Sequence, residues 1–126
     1  MTSEGVPEGY PTVSPYLLVT DLEPAVAFLT EVFGARERRR MQGEGGGMHC
    51  ELELGDSVVM VGAGGGMSSR AMLHVYVADA EAVYRRALAA GASSVSEPHD
   101  TSFGDHRVAF DDPSGTQWWV STRMET

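Results

Sequence analysis

The chain has 126 residues, 42% of them apolar and 21% charged, the size and balance of one compact domain or of two half-size modules sharing a core. Nine basic against eighteen acidic residues leave a formal charge of -9, which repels phosphate backbones and anionic lipid and argues against nucleic-acid and membrane-surface roles. The single cysteine, Cys50, permits neither an internal disulfide nor a thiolate cluster for zinc, and nothing resembles a leader or a spanning segment, so a cytoplasmic protein is expected.

Residues 1–12, rich in Gly, Glu and Pro, read as a disordered or extended tail. Val13 to Val19 is a short β-branched and aromatic strand, and Asp21 then stands at an N-cap position before Leu22-Glu23-Pro24. The helix that begins there carries Leu22, Val26, Leu29 and Phe33 on one face, and Gly34 supplies its left-handed stop. Three strands follow, Ala35 to Met41, Met48 to Leu54 and Ser57 to Gly62, the last two joined by a tight turn at Gly55-Asp56. Gly45-Gly46-Gly47 and Gly64-Gly65-Gly66 lack the ending of a phosphate loop and read as flexible loops or lids.

The same order then begins again. Met72 to Val77 is a strand, Asp79 an N-cap, and a helix runs through Ala90 to a stop at Gly91. Val19-Thr20-Asp21 and Val77-Ala78-Asp79 superpose at a shift of 58 residues, and Gly34 and Gly91 at 57. Strands near Ser93 to Ser96, Arg107 to Asp111 and Gln117 to Thr122 complete the second half, with a turn at Asp112-Pro113-Ser114-Gly115. The expected architecture is therefore α+β, with two βαβββ modules, residues 13–66 and 67–126, in one structural domain.

Strand alternation assigns side chains to faces. In His49-Cys50-Glu51-Leu52-Glu53-Leu54 the even positions are apolar, so Cys50, Leu52 and Leu54 face the helix while His49, Glu51 and Glu53 face the other way. By the same rule Leu73, Val75 and Val77 go to the core, leaving His74 and Tyr76 opposite. Trp118 and Val120 are core, which puts Gln117, Trp119 and Ser121 on the far side. Tyr16, Met60, Phe103 and Arg107 join the same lining. Arg38-Arg39-Arg40 reads as a solvated face rather than an anion site.

The order βαβββ twice, with Val-x-Asp opening each helix and Asp-Pro-x-Gly before the last strand, resembles the vicinal oxygen chelate superfamily of glyoxalase I, fosfomycin-resistance enzymes, extradiol dioxygenases and bleomycin-resistance proteins. Pro15-Tyr16-Leu17, Phe33-Gly34-Ala35, Met48-His49-Cys50-Glu51-Leu52, Gly55-Asp56-Ser57, Leu73-His74-Val75-Tyr76-Val77 and Phe103-Gly104-Asp105 look like its PhnB-like branch. The resemblance implies a glyoxalase-like fold: each module's sheet curls around a cavity, its helix packs outside, and two chains form a homodimer. It also implies where a metal would be held. Those positions fall on Ser14, on His74, on Trp119 where a glutamate is expected, and on Val58-Val59-Met60-Val61, which offers no ligand. One ligand of four cannot hold a divalent ion, so neither metal nor other cofactor is expected.

Other readings of the polar residues stay open. His49, Glu51 and His74 have ligand types that suit zinc or manganese if they share one cavity. His49 or Glu51 is alternatively a general base, and the plain reading makes each a hydrogen-bonded pocket residue. Trp119, with Tyr76 and Phe103, offers flat surfaces for a planar or cationic molecule, although an adjacent Trp pair also suits a core and a dimer interface. The expectation is a small-molecule-binding protein that holds an aromatic or polycyclic compound, with ligand contacts from Tyr16, His49, Glu51, Met60, His74, Tyr76, Phe103, Arg107 and Trp119. The alternative is a lyase, isomerase or transferase acting on a small metabolite through His49, Glu51 or His74.

Overall fold

A computed structural model describes residues 5–43, 46–64 and 70–124. The first four residues of the tail, Gly45, Gly65 and Gly66 of the two glycine loops, and the junction between the two modules lie outside the described residues.

Ten elements follow one another as the repeat requires: β1 (Tyr16–Val19), α1 (Leu22–Phe33), β2 (Arg36–Gln42), β3 (Met48–Leu54), β4 (Ser57–Ala63), β5 (Ala71–Tyr76), α2 (Ala80–Ala89), β6 (Ser93–Asp100), β7 (Asp105–Asp111) and β8 (Thr116–Arg123). They build two four-stranded mixed sheets of identical topology, β1-β4-β3-β2 and β5-β8-β7-β6. In each, the first strand lies parallel to the last, and the remaining pairs are antiparallel. The parallel pair needs a crossover, and the helix between the first and second strands lies within that crossover.

Both helices start after an aspartate, but only Asp79 uses its side chain, accepting from the Ala82 N–H at 3.1 Å; Asp21 makes no such bond. Gly34 closes α1 in the left-handed conformation at φ 70°, open to glycine at no steric cost. Between β3 and β4, Gly55 adopts φ 61° in the tight turn.

The core lies between the helices and one face of each sheet. Cys50, Leu52, Val59 and Val61 of the first sheet and Val108, Phe110, Trp118 and Val120 of the second are buried there. Helix α1 also reaches the other module. Phe33 stacks on Phe110 and tilts against Trp118 with centroids 4.6 Å apart, and Phe28 meets Phe110 at 6.2 Å. Arg86 of α2 donates twice to the Val32 carbonyl at 3.0 and 3.2 Å, so α2 is tied to the end of α1. Packing helix to sheet on the inside leaves the opposite face of each sheet free for chemistry.

The edge strands differ from expectation. β6 runs on past Ser96 to Asp100 through Pro98, which an edge position tolerates because no partner needs its missing N–H. Arg38-Arg39-Arg40 lie on an exposed edge strand and also make ion pairs: Arg40 pairs with Glu23 and Glu37, and Arg38 donates to the Gly9 carbonyl and approaches Glu53 at 3.8 Å.

Candidate functional site

The outward face of the first sheet carries Tyr16, His49, Glu51 and Met60, brought side by side by register: Met60 is opposite both Tyr16 on β1 and Glu51 on β3. Three hydrogen bonds run in series across it. Tyr10 Oη donates to Glu51 Oε1 at 2.6 Å, Glu51 Oε2 meets His49 Nε2 at 2.9 Å, and His49 Nδ1 meets Tyr16 Oη at 3.0 Å. A charged carboxylate can only accept, so His49 donates from Nε2 and its Nδ1 accepts the Tyr16 proton. The Tyr16 ring lies over Gly62, where a Cβ would stand 2.8 Å from it. Glu51 is only 4% exposed. Burial raises its carboxyl, but the bonds from Tyr10 and His49 and the charges of His49 and Arg39 outweigh that and hold it below its ordinary value.

Tyr10 was not foreseen. Gly9 and Tyr10 of the tail are held against this face by the Tyr10–Glu51 bond, by Arg38 on the Gly9 carbonyl and by the Arg38 guanidinium 4.7 Å from the Tyr10 ring centroid. A single tyrosine in a polar tail gives no pattern from which such docking is readable.

The outward face of the second sheet carries His74, Tyr76, Arg107 and Trp119, with Phe103 on the loop before β7. His74 and Ala109 flank Trp119 in register, and Tyr76 and Arg107 flank Ser121. As alternation demands, Trp118 is buried while Trp119 lies half-buried on the other side. The Trp118 indole N–H donates to Asp112 Oδ2 at 2.8 Å, and Asp112 Oδ1 accepts from Ser114 and Thr116 in the turn below. Trp119 donates to Gln117 Oε1 at 2.8 Å.

Asp105 organises this face. Fully buried, it accepts from Tyr76 Oη at 2.9 Å and from Arg123 Nη1 at 3.1 Å. Burial raises its carboxyl, and the bonds from Tyr76 and Arg123 with the charges of Arg123 and Arg107 bring it below its ordinary value. The same bond pushes the Tyr76 hydroxyl up. Arg107 sits 5.1 Å from the Phe103 ring centroid and 5.7 Å from that of Trp119, and its Nε reaches Ser121 Oγ at 3.4 Å. Ser121 Oγ also meets His74 Nε2 at 3.0 Å. Partial desolvation, then the Arg107 charge, lowers the His74 pKa against a smaller opposing effect of Asp105.

A cavity of about 220 Å³ opens here, lined by Met72, Leu73, His74, Arg107 and Trp119. A larger one of about 320 Å³ lies where β5 passes the β3–β4 turn, and His74 borders both. Neither includes His49 or Glu51, so the three candidate ligands His49, Glu51 and His74 are not brought together. Each sheet keeps its own group because the sheets meet through their helix sides. Among the described residues no three His, Cys, Asp or Glu side chains converge in a metal-holding group. The donor set fails for the superfamily metal as well, since Trp119 cannot ligate and His74 is engaged with Ser121.

The glyoxalase/bleomycin resistance protein/dioxygenase superfamily model matches residues 11–120, which spans both modules. The chain belongs to that superfamily. An uncharacterized protein of Mycobacterium bovis, Mb0911c, is 32% identical over 122 residues, covering 86% of this chain and 80% of that protein. Among solved structures, TioX from Micromonospora sp. ML1 superposes with a TM-score of 0.69 at 26% identity, over 89% of this chain and 99% of its own. The fosfomycin resistance protein FosX from Listeria monocytogenes shares the fold at a TM-score of 0.69 and 15% identity, over 89% of this chain and 92% of its own.

Proposed function

We propose that this superfamily member is a small-molecule-binding protein that holds an aromatic or polycyclic compound against the outward face of the second sheet, in a cavity completed by a second copy of the chain. The observation that carries the reading is the placement of Phe103, 56% exposed, and the half-buried Trp119 on either side of the Arg107 guanidinium, with Tyr76, 61% exposed, on the same face of the sheet. Exposed aromatic surface gathered around a concavity is what stacking on a planar molecule uses. Met72 on this face and Tyr16 and Met41 on the outward face of the first sheet are exposed too, more apolar area than one small chain leaves uncovered without reason. The quoted motifs support a reading within the PhnB-like branch, and a cytoplasmic setting suits the lone buried thiol.

Native mass spectrometry of untagged protein tests both halves of this reading. The expected result is a species near twice 13.5 kDa that carries a non-covalent small molecule or takes up a planar aromatic one. A chain that stays at 13.5 kDa at micromolar concentration removes the shared cavity, and one that takes up no aromatic compound removes the binding role.

One observation favours a second reading, a lyase, isomerase or transferase. The series Glu51–His49–Tyr16 is a carboxylate-oriented imidazole that accepts a phenol proton, an arrangement able to move a proton at Tyr16 Oη. Turnover of a small carbonyl metabolite that disappears in Tyr16→Phe supports it, whereas saturable binding with the ligand recovered unchanged supports the binding protein.

A further inference from the structure

The polar groups on the second sheet's outward face are not balanced between donors and acceptors. Of the carboxylates on this side of β7, Asp105 is taken by Tyr76 and Arg123, and Asp111, four residues along the strand from Arg107, accepts from Gln117. The Gln117 oxygen takes the Trp119 indole N–H. Ser121 Oγ accepts from Arg107 Nε and is also within hydrogen-bond distance of His74 Nε2, at 3.0 Å. Arg107 uses only Nε in this network, and its two terminal nitrogens, with four N–H bonds, have no hydrogen-bond acceptor among the described residues. What this part of the face has left to offer is therefore a guanidinium fork between two rings.

We infer that the ligand of this site is a planar aromatic carboxylate, its ring system stacked on Trp119 and Phe103 and its carboxylate taken by the Arg107 fork. The inference rests on the ligand-binding reading above and narrows it. It also reverses the sign expected from the sequence: aromatic rings alone suit a planar or cationic molecule, but here the cation position over both rings is filled by the protein itself. A guanidinium matches a carboxylate with two parallel hydrogen bonds, and pairing them beside aromatic surface desolvates both. The cavity of about 220 Å³ under Met72, His74 and Trp119 sets the scale at a one- or two-ring acid. The overall charge of -9 does not oppose this at close range. Charges beyond a Debye length of about 8 to 10 Å are screened, whereas Arg107 is in contact with the ligand.

The test uses two probes of one shape and different charge, 2-naphthoate and 2-naphthamide, titrated into the full-length protein by calorimetry at pH 7.5 and moderate salt. 2-Naphthoate is expected to bind at least tenfold more tightly. In Arg107→Met that preference is expected to vanish, with naphthoate weakened at least tenfold and naphthamide changed less than threefold. Equal binding of the two probes by the wild-type protein overturns the carboxylate inference while the aromatic-binding reading stands. Binding of neither probe removes both. A preference that persists in Arg107→Met overturns the assignment to Arg107, and should that variant not fold, the wild-type comparison together with Arg107→Gln carries the same decision.

Discussion

Each sheet buries one carboxylate on its outward side and gives it a tyrosine hydroxyl, Tyr10 to Glu51 at 2.6 Å on the first and Tyr76 to Asp105 at 2.9 Å on the second. The second oxygen is then taken by His49 on the first sheet, while on the second Arg123 reaches the other oxygen. The faces diverge in what remains. On the first, the imidazole passes its remaining nitrogen to Tyr16, and Gly9 and Tyr10 of the tail are held against the group. On the second, no such segment is held among the described residues, and Arg107, Trp119 and Phe103 are left with unused donors and flat surface. Two modules of one topology thus carry a face whose polar groups satisfy one another and a face that keeps an unused guanidinium beside aromatic rings. Duplicated topology specifies where side chains point, not whether they bond to one another or to something else.

The sharpest test of that division lies in the adjacent tryptophans of β8, which should behave as members of different regions. Trp118 is 1% exposed, packs on Phe33 and donates to Asp112. Trp118→Ala is expected to cost about 3–5 kcal/mol, the cavity cost of a large aromatic. Trp119→Ala removes a half-buried ring from the open face and is expected to cost less than about 1.5 kcal/mol while weakening aromatic binding by about 1–3 kcal/mol. Urea unfolding of both variants checks the first pair of numbers and calorimetry the last. Equal destabilisation would erase the distinction between core and ligand faces.

The self-satisfied face should fail as a unit when its central acid is removed. Glu51→Ala leaves the Tyr10 hydroxyl and the His49 N–H without their acceptor, a loss of about 1–3 kcal/mol for a buried charge-assisted pair. It should also release the N-terminal segment, read as faster amide exchange confined to residues 5–10. Because the folded Glu51 carboxyl titrates below its ordinary value of 4.5, its contribution is complete above that pH and is lost as pH falls through the folded value. Glu51→Gln should therefore lose part of the acid dependence of stability. Exchange at residues 5–10 that does not change in Glu51→Ala would mean the segment is held by Arg38 alone.

Much of this molecule was readable before any coordinates. The helix starts at Asp21 and Asp79, the left-handed Gly34, the β3–β4 turn and the buried sides of β3, β5 and β8 all follow from period and turn chemistry acting over a few residues. The parts that were not readable depend on contacts between distant residues. Phe33 looks like any apolar residue ending a helix face, and only tertiary packing puts it on Trp118 of the other module. Alternation sent His49, Glu51 and His74 to outward faces but carries no information on whether two outward faces meet. The sequence places a strand near Ser93 to Ser96, and its continuation through Pro98 to Asp100 depends on the edge position, which topology alone decides.

A smaller effect distinguishes the two sides of the second sheet itself. On the outward side, desolvation and the Arg107 charge lower the His74 pKa from its ordinary value of 6.5. Toward α2, His106 is bonded to Asp100 Oδ1 at 2.7 Å and Glu81 Oε1 at 2.8 Å, which raises it from the same value. The signs are opposite. A lowered histidine stabilises fully above 6.5 and loses that contribution as pH falls through its folded value; a raised one stabilises fully below 6.5 and loses it as pH rises through its folded value. Between pH 5 and 8 the two histidines should together give a shallow stability maximum near 6.5, each limb worth about 0.5 kcal/mol or less because both rings are partly solvated. His106→Gln is expected to flatten the alkaline limb and His74→Gln the acid limb, read as urea midpoints at constant ionic strength. If His74→Gln left the acid limb intact, the imidazole beside Arg107 would not be held below its ordinary value by desolvation and that charge, and the contrast between the two faces would rest on Arg107 and the aromatic rings alone.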